Sequence, residues 1–162
     1  MERNNLMAIG AFVVISILLV GGLEFYNINE KPSASPVSLS GVQVDETWLK
    51  YDSSNTTVYA NMTTMESYIN ITVKFNGTVS NATLIVNPQS VYNSTANVSY
   101  QILPYLNETI LFVKGSYSHT FNFQVNQTVY DNMTVGKAYT TTFEVQTGSF
   151  SGNLLNIIVA RS

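Results

Sequence analysis

The sequence predicts an all-β fold, an antiparallel β-sandwich, and three observations carry that reading. From Val42 onward apolar residues recur at every second position, the spacing of a strand with one buried face. No stretch of about ten residues there shows the period of an amphipathic helix. Turn-forming groups such as Asn76-Gly77 and Lys114-Gly115-Ser116 cut the pattern into short segments, as tight turns between strands require.

Three parts follow in order: residues 1–23 as a membrane anchor or signal segment, 24–40 as a Pro/Ser linker, and 41–162 as the β-domain. Leu6 to Leu23 reads LMAIGAFVVISILLVGGL, without a charge. A helix of that length covers about 27 Å, near the hydrocarbon thickness of a bilayer. Two fates are open. The segment is retained as a single span, or it is cleaved after Gly22, with Val20 and Gly22 at the two positions a signal peptidase inspects. Arg3 lies on the short side and Glu24 and Glu30 on the other, so charge places the N-terminus inside the cell and the domain outside. Cleavage would instead leave a secreted or surface-held domain. Asn4 and Asn5 stand where a prepilin-type signal wants a basic and a small residue, which argues against that route. Glu30-Lys31-Pro32-Ser33-Ala34-Ser35-Pro36 reads as a semi-extended spacer.

Within the domain the clearest strand is Tyr68 to Phe75, with Ile69, Ile71, Val73 and Phe75 on one face and Tyr68, Asn70, Thr72 and Lys74 on the other. Asn76-Gly77 follows at once, the dipeptide favoured by a type I′ hairpin turn. That turn would set Phe75 opposite Thr78 and Ile69 opposite Leu84, with Asn70 and Asn81 on one outer face. The alternation recurs in Val58, Ala60 and Met62, with Asn61 opposite, and in Val98, Tyr100 and Ile102, with Asn97 opposite. Further strands are expected at Val42 to Leu49, Thr109 to Lys114, Tyr117 to Val125, Ala138 to Gln146 and Leu154 to Ala160. The total of about seven to nine short strands without intervening helices matches an immunoglobulin-like sandwich.

Composition narrows the function classes. Only 10% of residues are charged, less than half the share of roughly a quarter in ordinary soluble domains. Asn, Ser, Thr and Tyr supply the missing polarity without ionising, so the surface stays wet in neutral and strongly acidic water alike. The net charge of −3 is spread thinly, with none of the clustered Lys and Arg on which nucleic-acid affinity rests. The chain has no cysteine, which removes disulfides, thiol nucleophiles and thiolate metal sites.

Ten Asn-x-Ser/Thr sequons, all after the apolar segment, are the most specific signal: Asn55, Asn61, Asn70, Asn76, Asn81, Asn93, Asn97, Asn107, Asn126 and Asn132. At this Asn, Ser and Thr content chance would leave roughly three or four. Sugars on these sites would solubilise a surface poor in charge, cover strand edges and hinder proteases. An apolar N-terminal segment, a cysteine-free β-domain, low charge and crowded sequons together resemble the heavily N-glycosylated surface proteins of thermoacidophilic archaea, including pilus and thread-filament subunits. The likeness is one of composition and architecture. No motif carries it, and it transfers no functional residue.

The search for chemistry assigns no catalytic, cofactor-binding or metal-ligating residue. His119, the one histidine, shares a strand face with Tyr117, Phe121 and Phe123 and reads as a core or rim residue. Trp48, the one tryptophan, reads as core. Asp45, Glu46, Asp52, Glu66, Glu108, Asp131 and Glu144 are scattered, and there is no phosphate loop or nucleophile elbow. The expectation is a membrane-anchored or filament-forming structural or adhesive glycoprotein, which meets the membrane through residues 6–23 and a protein partner or its own copies through the domain. In a filament, Pro36 to Val44 would be the segment donated as a strand to a neighbour. The alternative is a non-catalytic outer subunit of a membrane quinone oxidoreductase, by architectural likeness to the small subunit of archaeal thiosulfate:quinone oxidoreductase.

Overall fold

The computed structural model of the protein describes residues 34–162 apart from Ser67 and Ser149. The apolar segment Leu6 to Leu23 lies outside the described residues. Among those described, no helix is long and apolar enough to cross a membrane.

The chain is built from β1 (Val37–Val44), β2 (Leu49–Asp52), β3 (Thr57–Met62), β4 (Tyr68–Gly77), β5 (Asn81–Val86) and β6 (Gln89–Asn93). It continues through β7 (Val98–Leu103), β8 (Leu106–Leu111), β9 (Ser116–Gln124), α1 (Gln127–Asn132), β10 (Ala138–Thr147) and β11 (Phe150–Arg161). A six-stranded sheet has the order β2-β3-β11-β10-β5-β8, a three-stranded sheet the order β1-β4-β9, and β6 and β7 form a separate hairpin. The two larger sheets close over one core, which makes the domain an all-β sandwich.

Alternation decides which side chains enter that core. Ile69, Ile71, Val73 and Phe75 of β4 are fully buried, as are Leu84 and Val86 of β5 and Leu155, Ile157 and Val159 of β11. Phe143 of β10 is the aromatic link between layers: its ring meets Phe121 of β9 edge-on at 5.0 Å and Phe123 at 6.3 Å. Edge-to-face contacts of this kind add to the burial of the rings.

The last strand does the most to unite the large sheet. β11 pairs antiparallel with β10 and parallel with β3, from Asn156 opposite Thr57 to Arg161 opposite Met62. A register shift between Phe143 and Glu144 marks a bulge in the β10 and β11 pair, which bends the ladder while keeping Phe143 and Leu155 inward.

Several strand expectations hold in face and fail in partner. β4 and β5 do not form a hairpin. β4 runs on through Asn76 and Gly77, which pair with Ser38 and Val37 of β1, and β5 joins β10 and β8 in the other sheet. Gly77 is needed for a close approach, since a Cβ there would sit 2.7 Å from the Phe112 ring. The tight turn with two positive φ values occurs instead at Lys114 and Gly115, at 53° and 78°, closed by paired backbone bonds between Val113 and Ser116. Those are the dihedrals of a type I′ turn.

The strand expected at Val42 to Leu49 is two strands broken at Asp45 to Trp48, and Trp48 packs half-buried against the core from the intervening turn. β1 begins at Val37, inside the expected linker, with Val37 fully buried. Pro36 to Val44 is therefore not a detached segment: its strand pairs with β4 of the same chain. β6 and the short helix α1 were not expected, being shorter than a pattern of either period can register.

Replacing Phe143 with Ala is expected to lower stability by about 3 to 5 kcal/mol, from the lost burial and the cavity left between sheets. Gly77→Ala keeps the sequon at Asn76 and is expected to cost about 1 to 3 kcal/mol through the clash with Phe112. Denaturant unfolding of the two variants beside the parent checks both values.

Candidate functional site

The sequon asparagines occupy both outer faces of the sandwich and the loops at its ends. Asn61 on β3, Asn81 at the start of β5 and Asn107 on β8 alternate with inward-facing neighbours of the large sheet. Asn70 and Asn76 lie on the outer face of β4, opposite Asn122 and Ser116 of β9. Asn70 and Asn81, expected on the same outer face, therefore belong to different sheets and point away from the core in opposite directions. Asn55 is in the turn between β2 and β3, and Asn97 in the turn between β6 and β7. None of the ten is buried, and Asn70, Asn93 and Asn132 alone among them are half-buried.

Local chemistry explains several of these positions. Asn97 has a φ of 54°, in the left-handed region where Asn is tolerated far better than branched residues, and its side-chain Oδ1 accepts from the Tyr92 hydroxyl at 2.6 Å. Asn126 is the N-cap of α1: its Oδ1 accepts from the Val129 N–H at 2.9 Å. That bond satisfies one of the donors left over at a helix start. At the other end, the Arg161 guanidinium lies 4.4 Å from the centre of the Tyr130 ring and donates to the Tyr130 carbonyl at 3.0 Å. A cation at a helix C-terminus is favourably placed, so β11 and α1 are tied by one residue.

Two further asparagines meet across the fold. Asn93 ends β6 and Asn132 ends α1, and the Asn93 Nδ2 donates to the Asn132 Oδ1 at 2.5 Å. Nothing in a sequence pattern reveals this juxtaposition, because the pair are joined only by the folding of two short elements. The pairing of Asn126 with a helix start was legible in principle from its cap chemistry, but α1 is too short to show a period.

The ionisable groups are sparse and mostly wet. Asp52 is held below the usual carboxylate range chiefly by the Ser54 hydroxyl, which donates at 2.7 Å, and by the Ser54 backbone N–H. Glu144, on the outer face of β10, is lowered by donation from the Ser151 hydroxyl at 2.6 Å and then from the Gln146 amide at 2.7 Å. Tyr117 is raised, first by burial and then by the Glu108 carboxylate. His119 is an exposed rim residue whose ring meets Phe121 edge-on at 4.8 Å.

Among the described residues no three His, Asp or Glu side chains converge as a metal site would need. An open groove of about 550 Å³ at one end of the large sheet is lined by Val79 to Thr83 and Gln146 to Gly148. Hydroxyls and amides line it beside Val79 and Ala82, with no acid, base or nucleophile stronger than Ser or Thr, and it includes the sequon residue Asn81. What this arrangement can do chemically is present amide nitrogens to solvent from many directions.

No protein-family model matches the chain, and no curated protein matches it in sequence.

The carboxylates give a pH signature. A carboxyl whose pKa is lowered by folding adds stability above its unfolded value and loses it as pH falls through the folded one. Glu144→Gln is expected to flatten the acid side of the stability curve slightly below about pH 4, since a half-exposed carboxylate on a sheet's outer face is largely screened. Tyr117 has the opposite sense. Its neutral form is favoured in the fold, so stability is complete below about pH 10 and falls as pH rises above it, and Tyr117→Phe should remove that alkaline loss. Thermal unfolding across pH checks both limbs.

Proposed function

We propose that this protein is a glycosylated extracellular structural or adhesive surface protein, membrane-anchored or filament-forming, built on an immunoglobulin-like sandwich and without a catalytic site of its own. The observation that carries the reading is the placement of ten sequons: every one is outside the core, although six of them lie within strands where every second position turns inward. An exported chain needs its acceptor asparagines in reach of solvent, and a domain so poor in charge needs another source of hydration. A coat of N-linked sugar on both sheet faces supplies it.

The immunoglobulin-like assignment rests on the two facing sheets and on the crossing of the chain from β4 in one to β5 in the other. Donation of Pro36 to Val44 to a neighbour would require β1 to leave β4, so a filament using it must exchange a strand rather than fill a gap. Fractionation of native cells tests the proposal. The protein is expected in the envelope fraction, sugar-bearing, and released as polymers or as single anchored chains. Its recovery in a stoichiometric detergent-stable complex with a quinone-reactive membrane protein would replace this reading with the accessory-subunit one.

A further inference from the structure

We infer that Asn93 and Asn132 are not sugar acceptors in the folded protein but a hydrogen-bonded clamp joining the β6-β7 hairpin to α1. The inference rests on the proposed glycosylation and says which of its sites are closed.

All four polar atoms of the two side chains are engaged. The Asn93 Nδ2 donates to the Asn132 Oδ1 at 2.5 Å, and the Asn93 Oδ1 accepts from the Ala96 N–H at 2.9 Å. The Asn132 Nδ2 in turn donates to the Thr128 carbonyl at 2.8 Å. Both residues are half-buried, whereas Asn61, Asn76, Asn81 and Asn107 stand exposed on strands. Asn126 offers the instructive contrast: its Oδ1 caps α1, and a sugar on its Nδ2 would leave that bond in place.

Transfer from a lipid-diphosphate sugar donor forms a bond between Nδ2 and the anomeric carbon. One Nδ2 proton leaves, and so does the lipid diphosphate. At Asn93 the new substituent would grow from a nitrogen that touches Asn132, and at Asn132 from one that touches the α1 backbone. One hydrogen stays on each Nδ2, so the sugar has to be seated beside the partner that nitrogen already touches; this crowds the clamp, and losing it strands polar atoms that are partly withdrawn from water. The link also spans a large sequence separation, from a hairpin outside both main sheets to a six-residue helix that cannot be stable alone. Thr95, which completes the first sequon, lies exposed in the turn that Asn93 closes onto Ala96, so its side chain can be changed without touching the clamp.

The test separates the asparagines from their sequons. Thr95→Ala and Thr134→Ala abolish the acceptor motifs and keep both amides, while Asn93→Ala and Asn132→Ala break the clamp. The full chain and these variants are made in a host that N-glycosylates and purified in detergent, then taken to glycopeptide mass spectrometry and thermal unfolding. Sugar is expected at the exposed sequons and at neither Asn93 nor Asn132. The threonine variants should leave the unfolding midpoint unchanged. Each asparagine variant should lower it by roughly 3 °C or more, and the double variant by less than the sum. Sugar on Asn93 or Asn132 beside sugar elsewhere would overturn the inference and leave the glycoprotein reading standing. Sugar at none of the ten would overturn the glycoprotein reading, and the unfolding series would then decide the clamp alone: additive or absent effects sink it.

Discussion

The insertion of β11 between β3 and β10 is the constraint on which the rest of the domain depends. It joins β2 and β3, which come early in the chain, to β10, β5 and β8, which otherwise have no ladder in common with them. Its inward residues Leu155, Ile157 and Val159 are all but fully buried, and its end holds α1 through Arg161. Without it the small sheet would face a two-stranded β2-β3 ribbon and a separate three-stranded β10-β5-β8 piece in place of one surface, and a two-stranded ribbon is marginal in water. Because β11 follows every other strand of the domain in sequence, the large sheet cannot close until all the others have been made. Such long-range closure is slow for β-proteins, and it leaves apolar strands open in the meantime.

That geometry has a consequence for the surface. Once β11 fixes the large sheet, the pleat turns Asn61, Asn81 and Asn107 outward by the same step that turns Ala60, Ala82 and Ile110 inward. Core formation and the outward display of the sequon amides are therefore one event. The charge deficit follows the same logic. With 10% of residues charged, the surface relies on neutral amides and hydroxyls, and the few carboxylates with shifted titration are held by Ser and Gln donors rather than by Lys or Arg as first cause. Such a surface changes little in charge across a wide pH range.

Face was legible in the sequence on the central strands, though not at Val98 or His119, which stand exposed on the more peripheral β7 and β9; neighbour was not legible. The alternation from Tyr68 to Phe75 names the buried side of β4 correctly, because solvent and core act on each residue separately. Pairing depends on which apolar face lies across from which, and no local signal carries that. Asn76-Gly77 has the dihedral freedom for a hairpin turn, yet continued pairing with Ser38 and Val37 on one side and Ser116 on the other kept it extended. The same limit hid the clamp of Asn93 and Asn132. Each looks like an ordinary sequon until α1 and β6 are brought together, whereas the exposed position of Asn61 or Asn81 follows from its own strand alone. The N-terminal apolar segment is legible only in the sequence, where its length and lack of charge speak for a membrane helix.

The central claim is that the outward amides carry sugar, and the mass of the native protein tests it most directly. The polypeptide amounts to 17.9 kDa. Protein taken from its own cells should be heavier by several glycans than the chain its N-terminus defines, and chemical deglycosylation should bring it down to that chain mass. A native mass that equals the bare polypeptide, and that deglycosylation does not move, would contradict the account.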